Sequence, residues 1–195
     1  MKIYILCNFN EIDVDDFSSS LDVEGLKKAD DIIQHLSDLK IDKIYCSPYL
    51  KTIQTIYPFC SKSNKHINIE STFHDTMFKP IKSTVGAHIS RTYNNHFGYS
   101  YFLDQINIHY KSKLFSSNIS LKETKMGVQN RIFPFLYNLC SKYKDKNKNI
   151  LIVTHKNIKT FIMNFFDLST NCSSVIDEQI TKINIPDTWN GLIKS

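Results

Sequence analysis

The sequence predicts an α/β fold with a largely parallel sheet, and three observations support this. A short apolar run at 2–7 (KIYILC) is typical of a buried strand. Apolar residues at helical spacing follow at 22–39, and a second strand is predicted at 41–46. The run NILIVT at 149–154 predicts another buried strand, followed by a helix at 156–167. Strands that alternate with helices in this way favour a parallel sheet with helices on its faces.

The remaining elements fit this alternation. Asp22 is placed to cap the helix at 22–39, and Pro48 suits the first turn of a helix that runs to about residue 60. The sequence HINIE, after the polar loop at 61–65, predicts a third short strand, and QITKINI at 179–185 predicts the last strand. A further helix is predicted over about 121–143, with a kink at Pro134.

Residues 73 to about 119 have many aromatic side chains but no clean periodicity. We interpret this stretch as an insertion of short helices and loops that covers one end of the sheet. The prediction is therefore one domain over 1–195, with this insertion inside it.

Composition excludes several classes of protein. A chain of 195 residues with 42% hydrophobic and 22% charged residues is typical of a soluble globular domain, and its longest apolar run is too short to span a membrane. The net charge is +5, and the lysine-rich stretch at 142–149 lacks the interleaved aromatics of a nucleic-acid surface, which argues against that partner.

Cysteine and histidine usage predicts a cytoplasmic protein without a metal or other cofactor. The five cysteines are an odd number and have no CxxC spacing, which favours free, mostly buried thiols in a reducing compartment. Six histidines show no repeated ligand spacing, namely His35, His66, His74, His88, His96 and His109.

Several segments, in this order, resemble the histidine phosphatase (phosphoglycerate mutase-like) superfamily. They are IYILCNFNE at the start, LDVEGLKKADDIIQHL, SPYLKTIQT at 47–55, KETKMGVQNRI and LIVTHKN at 151–157. The resemblance extends from residue 2 to about 185 and is weakest across the insertion. It implies a three-layer α/β/α sandwich, with the pocket at the carboxyl ends of the strands at 2–7, 42–46 and 149–154.

In that family the first strand ends in Arg-His-Gly, and the histidine accepts the phosphoryl group. Here the three positions are Cys7, Asn8 and Phe9. An amide nitrogen has its lone pair delocalised into the carbonyl, so Asn8 can donate hydrogen bonds to an anion but cannot replace imidazole as the nucleophile. Cys7 removes a permanent positive charge, and the Phe9 ring is expected either to swing away or to fill part of the pocket.

The resemblance leaves three candidate anion-binding residues: Asn8, Lys51 and His155. Lys51 stands where the family has a second arginine, and the alternative is an ordinary exposed lysine at a helix start. His155 matches its family position unchanged, and an adjacent helix N-terminus would favour bound anions.

Other candidates receive no catalytic role. Asp75 lies near the family's acid, but we expect a surface aspartate there, and we expect Glu123 and Arg131 to cap or pair at the surface. Cys7 as a nucleophile is disfavoured because the following residues, NFNEIDVDD, contain no arginine and several acids, which raise a thiol pKa.

The sequence therefore predicts a catalytically inactive family member that keeps the scaffold for a protein partner or a small phosphorylated ligand. The competing hypothesis is a divergent phosphatase or phosphomutase in which His155, near its intrinsic pKa, activates water. A third is an interaction module whose aromatic insertion at 73–119 is the contact surface.

Overall fold

The computed structural model describes residues 1–10, 19–76, 100–112, 123–166, 173–177 and 180–185. The statements below concern these residues. Within them, no helix combines the length and the apolar character needed to cross a membrane.

The described strands form one mixed sheet with the order β3-β2-β4-β1-β6-β5. The first four strands in this order are parallel to their neighbours, and β6 pairs antiparallel with both β1 and β5. The strand bounds are β1 Lys2–Cys7, β2 Lys43–Cys46, β3 Ile67–Ile69, β4 Asn149–Thr154, β5 Ser173–Asp177 and β6 Ile180–Asn184. The predicted mostly parallel sheet is confirmed.

Helices pack on both faces of this sheet. Their bounds are α1 Val23–Asp31, α2 Ile33–Asp38, α3 Leu50–Ser63, α4 Lys125–Tyr143 and α5 Lys156–Phe165. One buried cluster joins Leu151 and Val153 of β4 to α1, α2 and α3. A second cluster joins Ile150 and Ile152, the alternate residues of the same strand, to α4 and α5. Alternate side chains of a strand point to opposite faces, so the sheet is the middle of three layers.

Several predicted boundaries are wrong by a few residues. The segment at 22–39 is two helices that meet at Ile32, although Asp22 does cap the first by accepting a hydrogen bond from Gly25 N at 2.6 Å. Pro48 precedes α3 rather than lying in its first turn, and α3 continues to Ser63. Strand β2 begins at 43 instead of 41, and α4 begins at 125 instead of 121 and continues through Pro134.

Only part of the predicted insertion is described. Residues 71–73 and 100–102 form single 3₁₀ turns, and Ile67 of β3 pairs with Ile106 across an isolated parallel bridge. Of the aromatic residues there, Phe73 is fully buried, whereas Tyr101 is 79% exposed. Five others lie outside the described residues: Phe78, Tyr93, Phe97, Tyr99 and Phe115.

Candidate functional site

The carboxyl ends of three neighbouring strands meet at one edge of the sheet, where the sequence predicts the pocket. Asn8 N, just past β1, donates to Thr154 O at 3.0 Å, and Ser47 N, just past β2, donates to Val153 O at 2.9 Å. His155 follows β4 directly and is the residue before α5. The sheet register thus brings Asn8, Ser47 and His155 to the same edge.

His155 is held by neighbours on both sides of its ring. It is 3% exposed, and its Nε2 lies 2.9 Å from Ser47 Oγ. The Tyr49 ring packs edge-on against the imidazole with the ring centroids 4.5 Å apart. Burial, together with the positive charges of Lys51 and Arg131, holds the pKa of His155 well below its ordinary value. The expectation of a histidine near its intrinsic pKa is therefore wrong. The lowered pKa keeps the imidazole in its neutral form at pH 7 and below.

Asp75 faces the opposite nitrogen of His155. Its Oδ2 lies 3.7 Å from His155 Nδ1, which is too long for a hydrogen bond, and its side chain is 25% exposed. Asp75 Oδ1 accepts a hydrogen bond from Thr76 N at 2.7 Å, which fixes the carboxylate just beyond the 3₁₀ turn at 71–73. The expected surface aspartate is thus wrong, since this side chain lies largely covered beside the histidine.

Lys51 is buried at the start of α3. It is 3% exposed, and its Nζ lies 5.4 Å from the centroid of the Tyr49 ring. The cation and the neutral imidazole of His155 therefore both pack against Tyr49. The alternative of an exposed lysine is excluded, because helix α3 places this side chain inside the protein.

The side chains at the end of β1 are buried or turned toward the main chain. Asn8 Nδ2 donates to Phe9 O at 3.0 Å, so the amide is turned toward its own main chain. Phe9 is 5% exposed and belongs to the core cluster under α1–α3, so its ring has swung into the core. Cys7 is 3% exposed, and burial raises the pKa of its thiol, with Lys159 and Lys156 opposing this effect and Asp75 adding to it. A neutral, buried thiol is a poor nucleophile.

Glu123 and Arg131 form a buried, bidentate ion pair rather than a surface pair. Arg131 Nε lies 2.7 Å from Glu123 Oε1 and Nη2 lies 3.0 Å from Oε2, and the two side chains are 6% and 5% exposed. The guanidinium also donates to Thr72 O and to His74 O. Arg131 therefore ties α4 to the segment that carries Asp75, and the prediction of a surface role is wrong.

His74 is a second buried histidine in this region. Its Nδ1 donates to Asp75 O at 2.6 Å, since a carbonyl oxygen can only accept, and its Nε2 has no hydrogen-bond partner among the described residues. Burial is the main cause that holds the pKa of His74 well below its ordinary value, and the positive charge of Arg131 adds to it. Its Nε2 lies 3.8 Å from Glu123 Oε1, so a neutral ring faces that carboxylate.

The arrangement gathers groups that favour negative charge. A buried cation, a neutral imidazole and the N-termini of α3 and α5 lie at one edge of the sheet. In the part of the chain that the structure describes, no group of three or more His, Cys, Asp or Glu residues is placed to hold a metal ion.

Sequence reasoning missed Ser47, Tyr49 and the buried His74. Ser47 and Tyr49 both lie in the segment SPY directly after β2, the point at which a parallel strand exposes its end to a pocket. His74 had no comparable signal, because a lone histidine outside any strand or helix pattern does not reveal its burial.

The chain belongs to the Histidine phosphatase superfamily (branch 1), whose family model matches residues 13–173. The resemblance drawn from the motifs is thereby confirmed. No curated protein sequence matches the chain.

Solved structures that resemble the chain include several phosphatases of low sequence identity. An ecdysone phosphate phosphatase from Bombix mori, in complex with tungstate, is 10% identical, with 100% of this chain and 95% of that chain covered and a TM-score of 0.64. A mycobacterial glucosyl-3-phosphoglycerate phosphatase with inorganic phosphate is 11% identical over 98% of this chain and 99% of its own, with a TM-score of 0.60. A phosphoserine phosphatase mutant from Entamoeba histolytica, in complex with phosphoserine, is 14% identical. The match covers 98% of this chain and 99% of that chain, with a TM-score of 0.56. At these identities the likeness concerns the fold, and it fits the three-layer α/β/α architecture.

Proposed function

We propose that this chain is a histidine phosphatase superfamily member without phosphohistidine chemistry, which keeps the pocket as a weak anion site or a scaffold for a partner. The observation that carries the proposal is the end of β1, where Asn8 turns its amide to the main chain and Phe9 packs in the core. Loss of a catalytic nucleophile alone costs about 10⁶ in rate in a well-studied triad enzyme.

The residues left in the pocket support anion binding of modest strength. Lys51 provides a point charge without the planar fork of an arginine, and His155 in its neutral form can donate one hydrogen bond. Arg131 does not add to this site, because Glu123 and main-chain carbonyls already occupy its guanidinium. We expect phosphate to bind with a dissociation constant of about 1 mM, or about −4 kcal/mol.

A catalytic assay tests the loss of activity. Purified protein is incubated with an aryl phosphate and with a phosphoglycerate, and mass spectrometry under denaturing conditions examines the chain for a phosphorylated adduct. We expect neither turnover nor adduct. Turnover that disappears in His155→Ala would overturn the proposal.

A binding assay tests the retained pocket. Phosphate is titrated while backbone amide chemical shifts are followed by NMR. Lys51→Met should abolish saturable shifts, whereas Lys62→Met, at an exposed position on the same helix, should leave them unchanged. Equal binding by both variants would show that the pocket does not hold the anion, leaving only a scaffold role.

The second candidate is a divergent hydrolase that uses His155 as a general base. The observation in its favour is the order Ser47, His155, Asp75, in which a neutral imidazole lies between a hydroxyl and a carboxylate. Against it, Asp75 Oδ2 lies 3.7 Å from His155 Nδ1, too far for the hydrogen bond that would orient the imidazole as a base. Here Asp75→Asn should reduce any turnover as His155→Ala does, and an unchanged rate in Asp75→Asn would contradict this candidate.

A further inference from the structure

A cavity lies between α4 and the segment 109–111. Its volume is about 820 Å³, within the range of roughly 300–1,000 Å³ that is common for small-molecule sites. None of the described residues at the strand ends lines it, neither Asn8, Ser47, Lys51, Asp75 nor His155. Arg131 borders the cavity with its guanidinium already engaged by Glu123.

One wall of the cavity is a ridge of helix α4. Asn130, Pro134, Asn138 and Lys142 all line it, and their spacing of four residues puts them on one side of the helix. Proline has no N–H, so the carbonyl of Asn130, four residues earlier, loses its usual partner within the helix. The ridge thus offers two side-chain amides, one main-chain acceptor and one ammonium group.

The apolar part of the lining is a set of packed aromatic rings. Tyr45 packs edge-on against Tyr110 at 5.7 Å and against Phe135 at 5.4 Å between ring centroids. The Tyr110 hydroxyl donates to the buried Glu70, whose other oxygen accepts from Ser112 Oγ at 2.6 Å. These bonds fix Tyr110 against the edge of the sheet, so the aromatic surface is in place before a ligand arrives.

The rim of the cavity is basic. Lys111 and Lys142 both line it and are exposed, His109 lies beside them, and the lining residues that the structure describes include no aspartate or glutamate. Neither lysine forms an ion pair among the described residues, and Lys142 Nζ lies 5.2 Å over the Tyr143 ring. The nearby carboxylates of Glu70 and Glu123 are already bonded to Tyr110 and Arg131, so the two exposed lysine charges at the rim are left to attract an anionic group.

We infer that this cavity binds a small anionic ligand that carries a flat ring, with the ring against Tyr45, Tyr110 and Phe135 and the anionic group between Lys111 and Lys142. Aromatic pairs gain about 0.5–1.5 kcal/mol beyond area burial, so ring and anion together should bind better than either part alone. The site is independent of the anion pocket beside His155.

The test uses phenylphosphonate, which cannot be hydrolysed at its carbon–phosphorus bond, in NMR titrations beside phenol and inorganic phosphate. We expect phenylphosphonate to bind more tightly than either comparison compound, with amide shifts at Tyr110 and Asn138. Lys111→Ala together with Lys142→Ala should weaken binding by about five- to tenfold, or about 1–1.4 kcal/mol for the two exposed charges together. The matched control, Lys27→Ala with Lys62→Ala, removes two exposed lysines elsewhere and should have no effect.

A further variant separates this inference from the proposed function. Lys51→Met should remove phosphate binding beside His155 and leave phenylphosphonate binding at Tyr110 unchanged. Phenylphosphonate binding that is lost in Lys51→Met but kept in the Lys111 and Lys142 double variant would overturn the inference. So would a dissociation constant for phenylphosphonate no lower than that for phosphate.

Discussion

Arg131 shows how one side chain joins two parts of the molecule. Its guanidinium contacts Glu123 through two nitrogens and also donates to the main chain at Thr72 and His74. Replacement of one member of a buried pair leaves the other charge buried without its partner, which costs more than the pair contributes when intact.

We therefore expect Arg131→Ala to lower the free energy of unfolding by about 3–5 kcal/mol, measured by urea denaturation. The control is Lys28→Ala, which breaks the exposed pair between Lys28 Nζ and Glu24 Oε1 at 2.7 Å and should cost only about 0.3–0.5 kcal/mol. Similar losses in both variants would contradict the assignment of a buried, stabilising contact at Arg131.

At the scale of the element, helix α1 is constrained by the strand end that precedes it. Asp22 N donates to Asn10 O at 3.1 Å, and a Cβ atom added to Gly25 would lie 2.4 Å from the same carbonyl oxygen. Glycine is required at this position because the main chain approaches the helix too closely for any side chain.

Gly25→Ala should therefore destabilise the protein, although alanine is the better helix former. The matched variant is Gly127→Ala at the start of α4, where the added Cβ would meet Thr124 Oγ1 at an ordinary 3.5 Å. There the higher helix propensity should stabilise by up to about 1 kcal/mol. Opposite signs in thermal unfolding are the expected result, and a gain in stability from Gly25→Ala would contradict the close approach.

Helix α3 contacts both the turn after β1 and the main chain of Lys51. Its residue Thr55 donates from Oγ1 to Lys51 O at 2.8 Å, and Phe9 N approaches the same hydroxyl at 3.5 Å. The helix thus positions the buried cation and the turn after β1 together. Phe9 itself packs in the core cluster to which this helix contributes.

At the scale of the whole molecule, two buried neutral histidines make stability depend on pH. The pKa values of His74 and His155 in the folded protein lie well below 6.5, whereas both are ordinary in the unfolded chain. Below about pH 6.5 the unfolded chain binds more protons than the folded protein. The free energy of unfolding is therefore unaffected by these two histidines above about pH 6.5 and decreases as the pH falls below it.

We expect each histidine to contribute a loss of up to about 1.4 kcal/mol per pH unit below 6.5, measured as urea unfolding between pH 7.5 and 5. His155→Gln should remove its share of this slope, and His35→Gln, at an exposed position, should leave the slope unchanged. A slope in His155→Gln equal to that of the unchanged protein would contradict the burial of a neutral imidazole.

The sequence by itself determined the order of the strands and helices, the family, and the absence of a histidine at the end of β1. These follow from local patterns, because periodicity, capping residues and motif positions depend on neighbours in the chain. Tertiary structure alone decided the burial of Lys51 and Arg131, the position of Asp75 beside His155, and the packing of Phe9 in the core. Burial and pKa depend on contacts between residues far apart in sequence, for example Ser47 with His155, and no local pattern contains them.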